Sequence, residues 1–103
     1  MMKKRLLVIL AVSVMLVFAG GSMAAGNAKA GKVKAASCSN CHGAAGEGKD
    51  ANPKLAGLEA AYIVKQLEDF KSGARKSMMM GMFAGTLDHM DMADLAAYYS
   101  SLK

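Results

Sequence analysis

The chain has 103 residues and a formal net charge of +5 at pH 7. Three of its 13 basic residues lie within the first five positions, so the rest of the chain carries ten basic residues against all eight acidic ones. This small excess gives no reason to expect a nucleic-acid partner. A chain of this length forms one small domain, and such a domain usually needs a disulfide, a metal or a cofactor besides its apolar core.

The first 24 residues have the pattern of a secretory signal peptide. Positive charges come first, an apolar run covers residues 6–19, and small residues precede Ala24. We therefore expect removal of residues 1–24, which leaves one domain of residues 25–103. A retained membrane anchor is the alternative. The apolar run is shorter than the roughly 20 residues of a spanning helix, so no stable membrane insertion is expected after cleavage.

A small, basic stretch follows, and its pattern predicts a helix. Asn27 is a favourable N-cap residue. Ala28, Gly31 and Ala35 then recur on one face at helical spacing. A ridge of such small residues allows another helix to approach closely, which would justify a glycine that costs up to about 1 kcal/mol inside a helix.

Residues 38–42 read Cys-Ser-Asn-Cys-His and carry the strongest functional signal of the chain. Cys38 and Cys41 are three positions apart, so their thiols can add to the two vinyl groups on one edge of a porphyrin. His42 then lies under the ring, where its imidazole reaches the iron. This C-x-x-C-H spacing is specific for a covalently attached haem, and it occurs once, so we expect one haem c per chain.

Three other interpretations of the motif are weaker. Redox-active dithiols occupy βαβ surroundings, and no strand pattern lies near Cys38. A zinc ion needs four ligands, and the chain offers only Cys38, Cys41, His42 and the distant His89. A disulfide would have to close a very short loop.

The remaining pattern is that of an all-α fold. A glycine-rich loop covers residues 43–53, and an amphipathic helix is predicted over 59–71, with Gly73 as its C-terminal stop. Asp88 is the expected N-cap of a final helix, and Asp91 favours the positive end of its dipole. The apolar face of this last helix consists of Met92, Leu95, Ala96, Tyr99 and Leu102. We predict three or more short helices wrapped around one haem.

Methionines between residues 78 and 82 are the candidates for the second axial position. Glycines among them argue against a long regular helix, and a loop there could bring a thioether to the iron. Such a ligand closes the iron site and raises its potential, as in electron carriers, whereas an open position favours gas binding or peroxide chemistry. His89 is the rival ligand, while Met90 and Met92 fall within the last helix and are expected to pack or lie on the surface.

The chain resembles the small class I bacterial c-type cytochromes, specifically the cytochrome c553 and cytochrome c4-like group, over nearly all of the mature sequence. Cytochromes c4 carry two such domains and this chain carries one, so it looks like a single-haem c553. The segments that carry the resemblance are residues 38–43, 53–57, 62–75 and 87–99, which include Pro53, Tyr62, Phe70, Arg75, Leu87 and Tyr98.

This resemblance implies the class I cytochrome c fold and roles for individual residues. The Pro53 carbonyl is expected to accept a hydrogen bond from the other ring nitrogen of His42. The first and last helices are expected to cross near Gly31. In the family, the axial methionine lies at set intervals from the residues that match Arg75 and Leu87. Both intervals identify Met80 in this chain. An alignment shifted by one residue would identify Met79 instead.

The function implied is that of a periplasmic one-electron carrier between redox enzymes, monomeric or weakly dimeric, with no catalytic residue of its own. Its donor and acceptor would dock weakly around an exposed haem edge, where Lys49, Lys54 and Lys76 are candidate docking charges. Two alternatives stay open: a five-coordinate haem enzyme or gas sensor, and a dedicated haem subunit of one oxidoreductase.

Overall fold

Five helices account for the regular secondary structure of residues 26–103, which are the residues that the computed structural model describes. The predicted signal peptide, residues 1–24, lies outside this range. None of the helices in the described part of the chain is long and apolar enough to cross a membrane. The all-α prediction is confirmed by the following elements: α1 (Ala28–Lys34), α2 (Ala36–His42), α3 (Ala60–Ser72), α4 (Met78–Gly85) and α5 (His89–Ser101).

The two longest helices form where the sequence predicts them. Helix α3 ends at Gly73, whose φ of 83° is a left-handed conformation that glycine adopts without strain. Helix α5 begins with a capping box. The Asp88 side chain accepts from the backbone of Asp91, and the Asp91 side chain accepts from the backbone of Asp88. Asp91 therefore caps the backbone at the start of α5 as well as complementing the helix dipole.

The first helix differs from its prediction in extent. After α1 ends at Lys34, the chain turns at Ala35 and continues as α2, which contains the whole C-x-x-C-H motif. The sequence pattern predicted a helix with Ala28, Gly31 and Ala35 on one face and made no prediction for the motif itself. Ala35, where the chain turns, belongs to the buried core.

The core is small and lies mainly between α3 and α5. Its buried members are Ala35, Ile63, Val64, Met92, Leu95, Ala96 and Tyr99. Only Met92 among them is a large side chain with less than 2 % of its surface exposed. A core of this size agrees with the expectation that the domain needs a cofactor to complete it.

Helices α1 and α5 cross at Gly31, as the resemblance implied. A Cβ atom at Gly31 would lie 1.9 Å from the carbonyl oxygen of Asp94 and 2.8 Å from Cβ of Tyr98. No side chain fits in that space, so the glycine is required by the approach of the two backbones. This contact explains why α1 retains a residue that weakens an isolated helix.

A buried carboxylate joins the same two helices. Asp94 is buried, and its Oδ2 accepts a hydrogen bond from Lys34 Nζ at 2.6 Å. Its Oδ1 accepts from the backbone N–H of Asn27 at 2.8 Å. Lys34 also lies 2.9 Å from Asp91. The Lys34 ammonium is the main cause that holds the pKa of Asp94 and of Asp91 below the ordinary aspartate value.

We expect Gly31→Ala to lower the free energy of unfolding of the haem-loaded protein by about 1–3 kcal/mol, because the added methyl group forces α1 and α5 apart. The control is Gly85→Ala, whose Cβ would meet no atom within 4 Å. That change should be neutral or stabilising by up to about 1 kcal/mol. Denaturant titration of both variants checks this, and a Gly31→Ala protein as stable as wild type would contradict the crossing.

The Asp94 contacts predict a loss of stability in acid. An unfolded aspartate titrates near about pH 4, and the folded pKa is lower, so the contribution is present above that pH and is lost as pH falls through the folded value. Asp94→Asn should therefore lower stability at pH 7 and flatten its decline below about pH 4. Denaturant midpoints measured from pH 7 to 3 test this. The exposed Asp50→Asn change is the control, and an equal decline in both variants would refute the role of Asp94.

Candidate haem-binding site

Helix α2 brings the three residues of the motif onto one face. Cys41 follows Cys38 by three positions and His42 follows it by four, which is the spacing of neighbours on a helix surface. All three line the same cleft. The two cysteines are free, with Cys38 partly buried and Cys41 exposed. The helix therefore presents two thiols and one imidazole to a single ligand.

The orientation of His42 is determined by a backbone carbonyl. The side chain is buried, and its Nδ1 lies 2.8 Å from the carbonyl oxygen of Pro53. Because a carbonyl only accepts, Nδ1 must carry the hydrogen and donate it. In the neutral ring Nε2 is then the nitrogen with a free lone pair, and the hydrogen bond sets the angle of the ring.

The glycine-rich loop keeps Pro53 in this position. The backbone N–H of Gly48 donates to the carbonyl of His42 at 2.8 Å. Further along, the N–H groups of Leu55 and Ala56 both donate to the carbonyl of Gly46, at 2.8 and 3.0 Å. Backbone hydrogen bonds within the loop thus involve residues on both sides of Pro53 in the sequence. A proline carbonyl held in this way is a rigid acceptor for His42.

The cleft beside these residues has the chemistry of a cofactor site. It is partly open to solvent. Cofactor and ligand pockets are mostly apolar. Its apolar walls come from α3, α4, α5 and the loop after His42, through Leu55, Ile63, Leu67, Phe83, Leu95 and the ring of Tyr99.

The methionine cluster lies on a short helix rather than on the expected loop. Ser77 caps α4, and its hydroxyl accepts from the backbone N–H of Met80 at 3.2 Å. Met79 and Met80 both line the cleft. Met80 is partly buried, whereas Met79 is 57 % exposed. Met82 is 67 % exposed and is not among the lining residues.

The competing interpretations of the motif find no support in the geometry. His89 is exposed, does not line the cleft, and lies 3.6 Å from Glu68. Within residues 26–103, no group of three or more His, Cys, Asp or Glu side chains could hold a metal ion. Burial raises the pKa of the Cys38 thiol, whereas a reactive dithiol needs a lowered one.

Comparison with known proteins decides the family. The cytochrome c family model matches residues 28–103. The chain belongs to the cytochrome c family. It therefore binds haem c covalently, and Cys38 and Cys41 are at the haem-binding position. The apolar walls of the cleft, its two thiols, and its nitrogen and sulfur donors fit such a flat, covalently held group.

Individual relatives refine this assignment. Cytochrome c4 of Pseudomonas aeruginosa is 46% identical over 85 residues, which cover 82% of this chain and 42% of that protein. Cytochrome c-554(548) of Halomonas halodenitrificans is 40% identical over 81 residues, covering 75% of this chain and 98% of that protein. The crystal structure of reduced cytochrome c4 from Pseudomonas stutzeri matches with a TM-score of 0.72 and 40% identity, over 77% of this chain and 47% of that one.

These comparisons confirm the predicted class I cytochrome c fold and the likeness to cytochrome c4. The chain spans less than half the length of the cytochrome c4 relatives, and it aligns with nearly all of the shorter c-554(548) protein. The likeness to cytochrome c4 thus concerns one domain of similar fold.

Sequence reasoning missed two features of this cytochrome c site. One is Ser77, which positions Met80 at the start of α4 and was detectable as a serine directly before an apolar run. The other is the Tyr99 hydroxyl, which is buried at the cleft without a hydrogen-bond partner. The helical pattern assigned Tyr99 to the core, and nothing in that pattern indicates where its hydroxyl lies.

Proposed function

We propose that this cytochrome c is a one-electron carrier of the periplasm, with a single haem c and no catalytic chemistry of its own. The observation that supports the proposal best is that a nitrogen donor and thioether donors line one cleft. His42 on α2 is oriented by Pro53, and Met79 and Met80 of α4 line the same cleft. An iron that binds a donor of each kind has no coordination position left for a substrate.

In this proposal His42 and Met80 are the axial ligands of the haem iron. Nε2 of His42 is the nitrogen left free by the hydrogen bond to Pro53. Met80 is favoured over Met79 because it is the more buried of the two methionines that line the cleft. A thioether is a soft ligand that stabilises the reduced state and raises the potential.

The haem supplies a centre that accepts and releases one electron. The chain contributes by holding its donors still. His42 is hydrogen-bonded to the backbone of a loop that is held by its own backbone hydrogen bonds. Met80 lies in the first turn of α4, which Ser77 caps. Ligands held in this way need little rearrangement when the charge changes, which suits rapid exchange of electrons with other proteins.

The lining of the cleft gives no support to a peroxidase or a gas-activating enzyme. Apart from His42, the residues that line it include no second histidine, carboxylate, lysine or arginine. Peroxide chemistry would need a positioned acid or base on the distal side. Besides His42 and the two cysteines, the polar side chains that line the cleft are those of Ser37, Asn52, Ser77 and Tyr99.

Partners would be other redox proteins that reach the cofactor near the exposed Cys41. The α4 side of the cleft presents Phe83 and Met79 to solvent, an apolar surface suited to brief contact. Lys49, Lys54 and Lys76 are exposed, so they are available as docking charges. The chain would act as a monomer or a weak dimer.

The assignment to the periplasm rests on the predicted signal peptide. Export of the full chain should give a mature protein that begins at Ala25, recovered in the periplasmic fraction. Amino-terminal sequencing of the purified protein and cell fractionation measure this. A haem-loaded protein that keeps residues 1–24 and stays with the membrane would contradict it.

Optical spectra of the haem-loaded protein test the carrier function and the ligand together. We expect a low-spin spectrum in both oxidation states, a methionine-to-iron charge-transfer band when oxidised, and no rapid binding of carbon monoxide when reduced. Met80→Ala should abolish the band and open the site to carbon monoxide. The control Met82→Ala should leave both properties unchanged, because Met82 lies outside the cleft.

The outcomes that contradict the proposal are distinct. Loss of the band in Met79→Ala, with Met80→Ala unaffected, would identify Met79 as the ligand. The proposed carrier function would still stand. A high-spin reduced wild-type protein that takes up carbon monoxide readily would refute the carrier function itself.

A further inference from the structure

Helix α4 carries the methionines that line the cleft, but little of its own surface anchors it. Ala84 is its one buried residue, and α3 is the helix against which it packs in the described part of the chain. Met78 and Met82 are 85 % and 67 % exposed, so they contribute little to holding it. A short helix with so few buried contacts can open locally without unfolding of the whole domain. The place of Met80 therefore depends on what fixes the two ends of α4.

Arg75 fixes the connection that leads from α3 into α4. Its guanidinium carbon lies 4.6 Å from the centre of the Phe70 ring, and its Nη1 donates to Oε1 of Gln66 at 2.8 Å. The backbone N–H of Arg75 donates to the carbonyl of Asp69 at 3.0 Å. The side chain and the backbone of Arg75 are thus both held to α3, two residues before the Ser77 cap of α4.

Lys71 fixes the connection at the other end of α4. This lysine lies in the last turn of α3, and its Nζ donates a hydrogen bond to the carbonyl of Leu87. The backbone N–H of Leu87 in turn donates to the carbonyl of Ala84 at 3.1 Å. Leu87 lies between α4 and α5, so these two hydrogen bonds join α3 to the carboxyl-terminal end of α4. Residues 66–71 of α3 thus contact the connections on both sides of α4.

These contacts differ from those of an ordinary exposed cation on a helix. Lys65 is of the ordinary kind, because its Nζ lies 3.0 Å from Asp69 one turn further along the same helix. Such exposed pairs contribute little to stability. Arg75 and Lys71 instead connect α3 to the segments that precede and follow α4, so their contacts are lost when α4 moves away from α3. A contact that exists only in the closed arrangement lowers the population of the open one.

We propose that Arg75 and Lys71 are positioning residues, which hold α4 and thereby keep a methionine thioether at the haem cleft. Neither side chain lines the cleft, so both act through α4. The proposal rests on the proposed carrier function, because it requires that a thioether of α4 closes the iron site.

The test is the rate at which the reduced, haem-loaded protein takes up carbon monoxide at pH 7. If the gas binds only while α4 is displaced, this rate follows the population of the open arrangement. Loss of one exposed cation–π contact in Arg75→Ala should raise the rate about two- to fivefold. Lys71→Ala should also raise it. The control Lys65→Ala should leave it at the wild-type value, because the Lys65 ion pair lies within α3.

Two further measurements identify the cause. In a double-mutant cycle, Gln66→Ala should raise the rate in the wild-type background and have no effect once Arg75 is alanine. On heating of the oxidised protein, the methionine-to-iron band should disappear at a lower temperature in Arg75→Ala, while the far-ultraviolet helix signal melts near the wild-type temperature. A residue that merely stabilised the whole domain would lower both temperatures together.

Three results would overturn the proposal. They are an uptake rate in Arg75→Ala or in Lys71→Ala equal to that of Lys65→Ala, an effect of Gln66→Ala that persists without Arg75, and parallel falls of the band and the helix signal on heating. Each is measured against a wild-type protein that has the band and takes up carbon monoxide slowly. A wild-type protein that lacks the band and takes up the gas at once would refute the carrier function itself, so the two failures are distinguishable.

Discussion

The close crossing of α1 and α5 at Gly31 is the contact on which the rest of this cytochrome c depends. Helix α2 continues from α1 after a single turn at Ala35, so the position of α1 determines where the haem-binding cysteines lie. Helix α5 supplies Leu95 and Tyr99 to the same cleft. The crossing therefore sets how two of the elements that line the cofactor site lie relative to each other.

The two walls of the site are built by different means. On the His42 wall, backbone groups of the glycine-rich loop bond to one another and to Pro53, so the donor is fixed by main-chain geometry. On the methionine wall, α4 has eight residues, and Ala84 is its one buried residue. Its position relies on the Ser77 cap and on packing against α3.

Two polar side chains of α5 are buried in this small domain, and they differ in whether they have a hydrogen-bond partner. Asp94 faces α1, where Lys34 and the backbone of Asn27 satisfy it. Tyr99 lies on the side of the cleft, where its hydroxyl has no partner among the described residues. One polar group completes the contact between helices, and the other lies at the cofactor cleft.

The sequence by itself determined the class of the protein and most of its helices. Spacing of Cys38, Cys41 and His42 identified the haem, because covalent attachment imposes that order on the chain. Periodicity and caps placed α3 and α5, because these signals are local. Only the tertiary structure decided that α2 runs through the motif, that the methionine cluster is helical, and that Tyr99 keeps a buried hydroxyl at the cleft. Those features depend on contacts between segments distant in sequence, and local patterns carry no record of such contacts.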